Sequence, residues 1–199
     1  MTPRSLLDQT AAELLEVFAA GGRTPGAGSA AALSGAVAGS LLQAAARYAI
    51  KAAGRGRGSD FLEKAEALLE EARERSRRLS LAVDEDAVAF EQYWQARTDE
   101  ALRPALDVPL RIAHECVALA GIGLELYDRG SRSARGEAAT ALLSAVASGE
   151  AAVSIARFNL GAARDPSWLD SRKERIQALG RGLNELRRQI RVRMEGDGR

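Results

Sequence analysis

Cysteine, histidine and aromatic residues are all scarce in this 199-residue chain, which has one Cys, one His and 5% Phe, Trp and Tyr together. Cys116 by itself excludes an intramolecular disulfide, and with His114 as the single histidine the familiar Cys/His zinc spacings cannot be built. A reducing, cytoplasmic setting fits that usage. Charge of one sign is also missing. Lys+Arg 28 against Asp+Glu 27 leaves a net charge of +1, so there is no basic field to hold nucleic acid or anionic lipid, and neither partner is expected. The first residues, MTPRSLLDQTAAELLEVF, carry acidic side chains and lack the continuous apolar core of a signal peptide, so export is not expected. Strand-like alternation is absent throughout. One long uncharged run does exist, from Ala27 to Ala46, about the 20 residues a membrane span needs. It is mostly Ala, Gly and Ser, which gain too little from lipid to insert readily, and it reads as a buried helix.

What is present is helix. The length suits one domain, residues 1–199, and alanine makes up much of the 46% hydrophobic fraction, a composition that favours helices packed closely through small side chains. A first helix is expected over about 5–20, with Thr10 and Glu13 spaced as a capping box. Gly21 and Gly22 stop it. A second runs over about 28–53 and sets Gly28, Ala32, Gly35 and Gly39 on one face, where another backbone can approach closely, in this chain or in a second copy. Gly54-Arg55-Gly56-Arg57-Gly58 ends it as a basic loop. A long helix to about residue 96 carries the stripe Ala65, Ala72, Ser76, Leu79, Val83, Asp86 and Phe90. The next spans about 100–127, although Pro104 and Pro109 interrupt its first part and offer Asp107 as an alternative start. The segment 134–160 is apolar nearly all round, the mark of a helix surrounded by others. A last helix covers about 167–194. The expected fold is an all-α, up-and-down bundle of five to six helices.

Three features carry chemistry. Asp86 lies within the apolar stripe, so a carboxylate points at the core and needs a cationic partner, a donor network or a ligand pocket. Asp84 and Glu85 lie on other faces and would be solvated. The turn Thr24-Pro25-Gly26-Ala27-Gly28-Ser29 opens directly into a helix, whose free N–H groups suit an anion or a polar ring edge, or which is simply capped by Ser29. Asn159, near Ile155 and Phe158 on the apolar helix, must bond a neighbouring backbone or face a ligand. His114 and Cys116 point apart and read as structural. The 54–58 arginines read as a solvated loop, with attraction to a polyanionic tail as the alternative.

The stretches SLLDQTAAELLEVFAAGGRTPGAGSAAALSGAVAGSL, VDEDAVAF at 83–90, VPLRIA at 108–113 and ARFNL ending at Leu160 resemble the formiminotransferase-cyclodeaminase family, over nearly the whole chain. The resemblance implies a helical bundle that forms a homodimer. It also implies an enzyme acting on the carbon at N5/N10 of tetrahydrofolate. That enzyme is either a formimidoyltetrahydrofolate cyclodeaminase, which releases ammonia with ring closure to the methenyl form, or a methenyltetrahydrofolate cyclohydrolase. Asp86 would then stabilise the amidinium-like centre or move its proton, with Glu137 as a second catalytic carboxylate. Thr24, Pro25, Gly26, Gly28, Ser29 and Asn159 would line the folate site. No metal is implied, and no cofactor beyond the folate substrate.

The chain departs from the family pattern in places. Ala27 stands in a run of three glycines, Ser131 and Gly136-Glu137 replace an Asn and a Ser-Asp pair, and Ile155 replaces a frequent Asn. These losses support a second reading, a catalytically impaired paralogue that serves as a folate-binding or helical interaction protein. Turnover abolished by Asp86→Asn separates the enzyme from it.

Overall fold

The computed structural model describes residues 5–56 and 59–196, so Arg57 and Gly58 of the expected basic loop lie outside the described residues. Among these are six α-helices and no strand: α1 (Ala11–Ala19), α2 (Ala27–Ala53), α3 (Leu62–Ala96), α4 (Asp99–Arg129), α5 (Arg135–Leu160) and α6 (Asp170–Gly196). Short connections reverse the chain after each long helix, and α2 to α5 close a ring in which α2 packs on α3 and α5, and α4 on α3 and α5. Helix α6 covers the outer side of α4 and α5. That is the expected up-and-down bundle.

Local signals explain most boundaries. Thr10 caps α1 in a reciprocal capping box with Glu13. Ahead of it, the 3-10 turn Leu6–Asp8 is tied to α3 by Asp84, which accepts from Ser5 Oγ at 2.5 Å and from the Leu6 N–H at 2.9 Å. Asp84 is therefore engaged and not merely solvated, and Glu85 pairs with Arg111 on α4. Between α3 and α4 the chain turns at Arg97, in the left-handed region with φ 54°, and Thr98 caps α4 by accepting from Ala101.

Helix α4 begins at Asp99, where the longer of the two expected spans put it, and runs through both prolines, so the later start at Asp107 is not taken. Pro104 is tolerated because the carbonyl it strips of a donor belongs to exposed Glu100, which water can serve. Helix α2 starts at Gly26 as N-cap, with no side-chain cap, so Ser29 is its third residue and not its cap. Helix α5 is not enclosed: Leu143 and Phe158 are largely exposed, Leu143 at a cavity it shares with Ile190 and Met194 of α6. By length and composition α2 and α5 are apolar enough to cross a membrane, and here about half of each is buried against other helices.

The small-residue face of α2 points into this chain's own core. Gly28, Ala32, Gly35 and Gly39 are all buried, so that face is not available to a second copy. At Gly39, α2 meets α3 so closely that an added methyl would stand 2.8 Å from Ser76 Cβ and 3.2 Å from its Cα. Ser76 itself donates to the Ala36 carbonyl at 2.9 Å. Gly39→Ala must push two backbones apart and is expected to cost about 1–3 kcal/mol. Urea unfolding should show a lower midpoint at unchanged slope. Deeper in, Cys116 Sγ donates to Ser148 Oγ at 3.2 Å, and Ser148 donates to the Ala31 carbonyl at 2.5 Å, linking α4, α5 and α2. Burial pushes the Cys116 thiol up to about 12, which leaves it inert. His114 lies outside on the same helix, with Nδ1 3.8 Å from Glu115.

Candidate functional site

Among the described residues two carboxylates are buried in the bundle, and their surroundings differ. Glu115, 8% exposed, accepts from Arg75 at 2.8 Å and Arg78 at 3.4 Å, which joins α3 to α4. Asp86 is equally buried at 8% exposure, yet among the described residues no arginine or lysine pairs with it. The salt bridge that its position on the stripe invited is not made. Its partners are the Ser29 backbone N–H and the Ser29 hydroxyl, the latter at 3.5 Å.

The geometry behind this is a helix end. Gly26 offers α2 no side-chain cap, and Asp86 arrives from α3 to accept from the third residue in its place. The α2 dipole adds a modest favourable field for the anion. Gly28 makes the approach possible, because a Cβ there would overlap the Asp86 carboxyl group. Burial is the dominant influence on Asp86 and outweighs the Ser29 bonds, so its pKa is raised from 3.8 to about 6. Near neutral pH such a group can both take and give a proton.

A cavity of about 250 Å³ opens on this carboxylate. Arg23, Thr24, Gly26, Ala27 and Gly28 form one wall, Asp86 and Phe90 the floor, and Ile155, Phe158 and Asn159 the opposite wall. Arg23 is occupied elsewhere, 3.1 Å from Glu91 and 4.6 Å above the Trp94 ring. Phe90 continues into Tyr93 and Trp94, each with ring centroids 6.3 Å away. In a chain poor in aromatics, this end of the bundle concentrates them. The walls are therefore largely apolar, with the Asp86 carboxylate, the Asn159 amide and the Thr24 hydroxyl as polar groups beside the already paired Arg23, a combination suited to a planar heterocycle.

Asn159 has a structural task as well. Pro109 lacks the N–H that would bond the Ala105 carbonyl four residues earlier, and Asn159 Nδ2 supplies it from α5 at 2.7 Å. Replacing Asn159 by Leu should leave that carbonyl unpaired, at about 1–2 kcal/mol. Pro109→Ala in the same chain restores a helical donor, so the double variant should recover most of the loss. Additive penalties in a thermal-unfolding cycle would refute the pairing.

Thr24, Gly26, Gly28 and Asn159 thus line one cavity with Asp86. Ser29 sits behind it, fully buried, and Pro25, joined to Thr24 by a cis peptide, belongs to the turn but not to the wall. Glu137 is not brought in. It lies in the first turn of α5, whereas the cavity touches α5 at Ile155 and beyond, about 27 Å along the helix. Sequence reasoning did not single out Phe158, which was expected among buried neighbours; it is 80% exposed and forms the rim. That Phe158 is the one aromatic of α5 and stands beside Asn159 was the available signal.

A family model described as formiminotransferase-cyclodeaminase matches residues 10–178, which include every residue of this cavity. The fold is similar to the crystal structure of formiminotetrahydrofolate cyclodeaminase from Thermotoga maritima, with a TM-score of 0.90 over 98% of this chain and 100% of that one, at 20% identity. No curated protein matches.

Proposed function

The chain belongs to the formiminotransferase-cyclodeaminase family, and on that premise we propose that it is a folate one-carbon enzyme, a formimidoyltetrahydrofolate cyclodeaminase or a methenyltetrahydrofolate cyclohydrolase. The observation that carries this reading is Asp86: a buried carboxylate with no counter-ion among the described residues, at the floor of a largely apolar cavity. A substrate whose reacting carbon is cationic supplies the missing charge. In the deaminase direction N10 attacks the formimino carbon and loses its proton, and the amino group gains a proton and leaves as ammonia, giving the methenyl cation. One proton moves from N10 to the departing nitrogen, and a carboxyl group with a pKa near 6 can perform both transfers. The carbon keeps its oxidation level, so the folate itself is the only cofactor this chemistry requires. In the hydrolase direction the same carboxylate takes a proton from the attacking water.

Phe90 and Phe158 would sandwich or flank the pterin ring. The reading carries with it a cytoplasmic location and a homodimer.

Titration with 5-formyltetrahydrofolate, a stable analogue of both substrates, tests it. Binding in the micromolar range, weakened by Asp86→Asn and by Phe158→Ala, is the expected result. A wild-type protein that does not bind the analogue would overturn the reading and favour an interaction role for the fold.

A further inference from the structure

The Asp86 cavity has room for only part of a folate. At about 250 Å³ it falls below the usual range for sites that enclose a whole small-molecule ligand, about 300–1,000 Å³. With the pterin between Phe90 and Phe158, the benzoyl ring and the glutamate must extend out of the cavity, and the glutamate carries two carboxylates with it.

Helix α3 marks where they go. Asp86, Phe90 and Trp94 follow one another at intervals of four residues, so they lie on one side of the helix, one beyond the other. Along that line the chain passes from buried Asp86 through half-buried Phe90 to Trp94, which is 40% exposed. Trp94 stands eight residues from Asp86, about 12 Å along the axis. A benzoyl ring and an amide bond place the glutamate carboxylates about 10 Å from N10. A folate with its reacting carbon at Asp86 and its rings along Phe90 therefore brings those carboxylates level with Trp94.

Two guanidinium groups meet them there. Arg23 forms part of the cavity wall and lies 4.6 Å above the Trp94 ring, and Arg97 lies 3.5 Å from the same ring. Arg97 ends α3 in the left-handed region, at a position that glycine fills without strain and an arginine does not. Its Nε donates to the Trp94 carbonyl at 3.0 Å, and its two terminal amino groups have no hydrogen-bond partner among the described residues. Asp99, the nearest acid in sequence, is engaged on the other side, accepting from the backbone N–H groups of Arg164 and Asp165 and from the Trp168 indole. Arg23 is paired with Glu91, but the two side chains are 45% and 34% exposed, and an ion pair so open to water is held weakly. Glu91 also accepts from the Gln95 amide at 3.0 Å, so it keeps a donor when Arg23 leaves.

We propose that Arg23 and Arg97, gathered on Trp94, form the subsite for the glutamate carboxylates, and that Glu91 holds Arg23 in place until a carboxylate of the ligand displaces it. This rests on the folate reading above. Each guanidinium offers a carboxylate two parallel N–H donors, and contact with the indole ring already restricts both side chains, so little freedom is lost when the ligand binds. The consequence is selectivity for folates that keep their glutamate.

Calorimetric titration with two ligands tests it. One is 5-formyltetrahydrofolate; the other is 5-formyltetrahydropteroyl methylamide, which keeps the rings and lacks both carboxylates. The wild type should bind the first more tightly by about tenfold or more. Arg23→Ala and Arg97→Gly are each expected to erase most of that preference by weakening the first ligand alone, and Arg23→Lys to restore part of it. Both replaced side chains are exposed and glycine suits the backbone at 97, so these variants should melt close to the wild type. Glu91→Gln releases Arg23 and should tighten the first ligand by about twofold or more, with the second unchanged. Equal affinity of the wild type for the two ligands overturns the proposal and leaves the folate reading standing, as do variants that weaken both ligands alike. A wild type that binds neither ligand overturns the folate reading, and the proposal with it.

Discussion

Asp86→Asn should be more stable than the wild type at neutral pH. The wild-type carboxyl group has a folded pKa of about 6 against an ordinary 3.8. Between those values the native state holds a proton that the unfolded state has released. Wild-type stability therefore falls as the pH rises from about 4 through 6, and above that the whole cost of the buried anion is present, about 2–3 kcal/mol. An asparagine carries no charge and still offers Ser29 an acceptor oxygen, so it escapes that cost. The variant should melt roughly 5–10 °C higher near pH 7.5, with the gap closing as the pH approaches 4. Calorimetry across that range checks it, and a wild type that is the more stable protein at every pH contradicts it. Residues kept at a stability cost are characteristic of sites selected for chemistry.

Gly28→Ala should lose turnover too, with the opposite effect on stability. The new Cβ falls where the Asp86 carboxyl group lies, and neither side can yield cheaply. The methyl is fixed to the first turn of α2, and Asp86 is fixed to a helix packed along its length against α2. The overlap is expected to cost about 1–3 kcal/mol, and it displaces the carboxylate from the cavity floor. A fall in melting temperature together with turnover reduced about a hundredfold or more is the expected outcome. Combining it with Asp86→Asn should not add to the loss of turnover, since both act on one group. An active Gly28→Ala protein would place the catalytic group elsewhere. The two substitutions change the same site by one small group each, and the opposite signs of their thermal shifts distinguish a buried charge from a packing contact.

Much of the architecture is legible because its signals are local. The stripe on α3 identified Ser76, Leu79, Val83 and Asp86 as inward-facing from spacing alone, and all four are buried. The Thr10 and Glu13 box is made as its spacing requires. What escaped the sequence depends on groups far away in the chain. Pro109 stops a helix only when nothing else serves the carbonyl it strips, and Asn159, on another helix, serves it. Ser29 looks like a cap until Asp86 takes that task from α3. Helix α5 is apolar on its inner and its outer sides, and hydropathy does not separate burial within a chain from a face that a chain leaves open. Glu137 matched a carboxylate in the family pattern, but helix length alone holds it away from Asp86 in the same subunit.

The most direct test of the account is ammonia release from 5-formiminotetrahydrofolate, and hydrolysis of the methenyl form, by wild type and Asp86→Asn side by side at neutral pH. The wild type should turn over at least one of the two substrates, and the variant, which melts higher than its parent, should be slower by about a hundredfold or more. Equal turnover by the two proteins would contradict the assignment of the chemistry to Asp86.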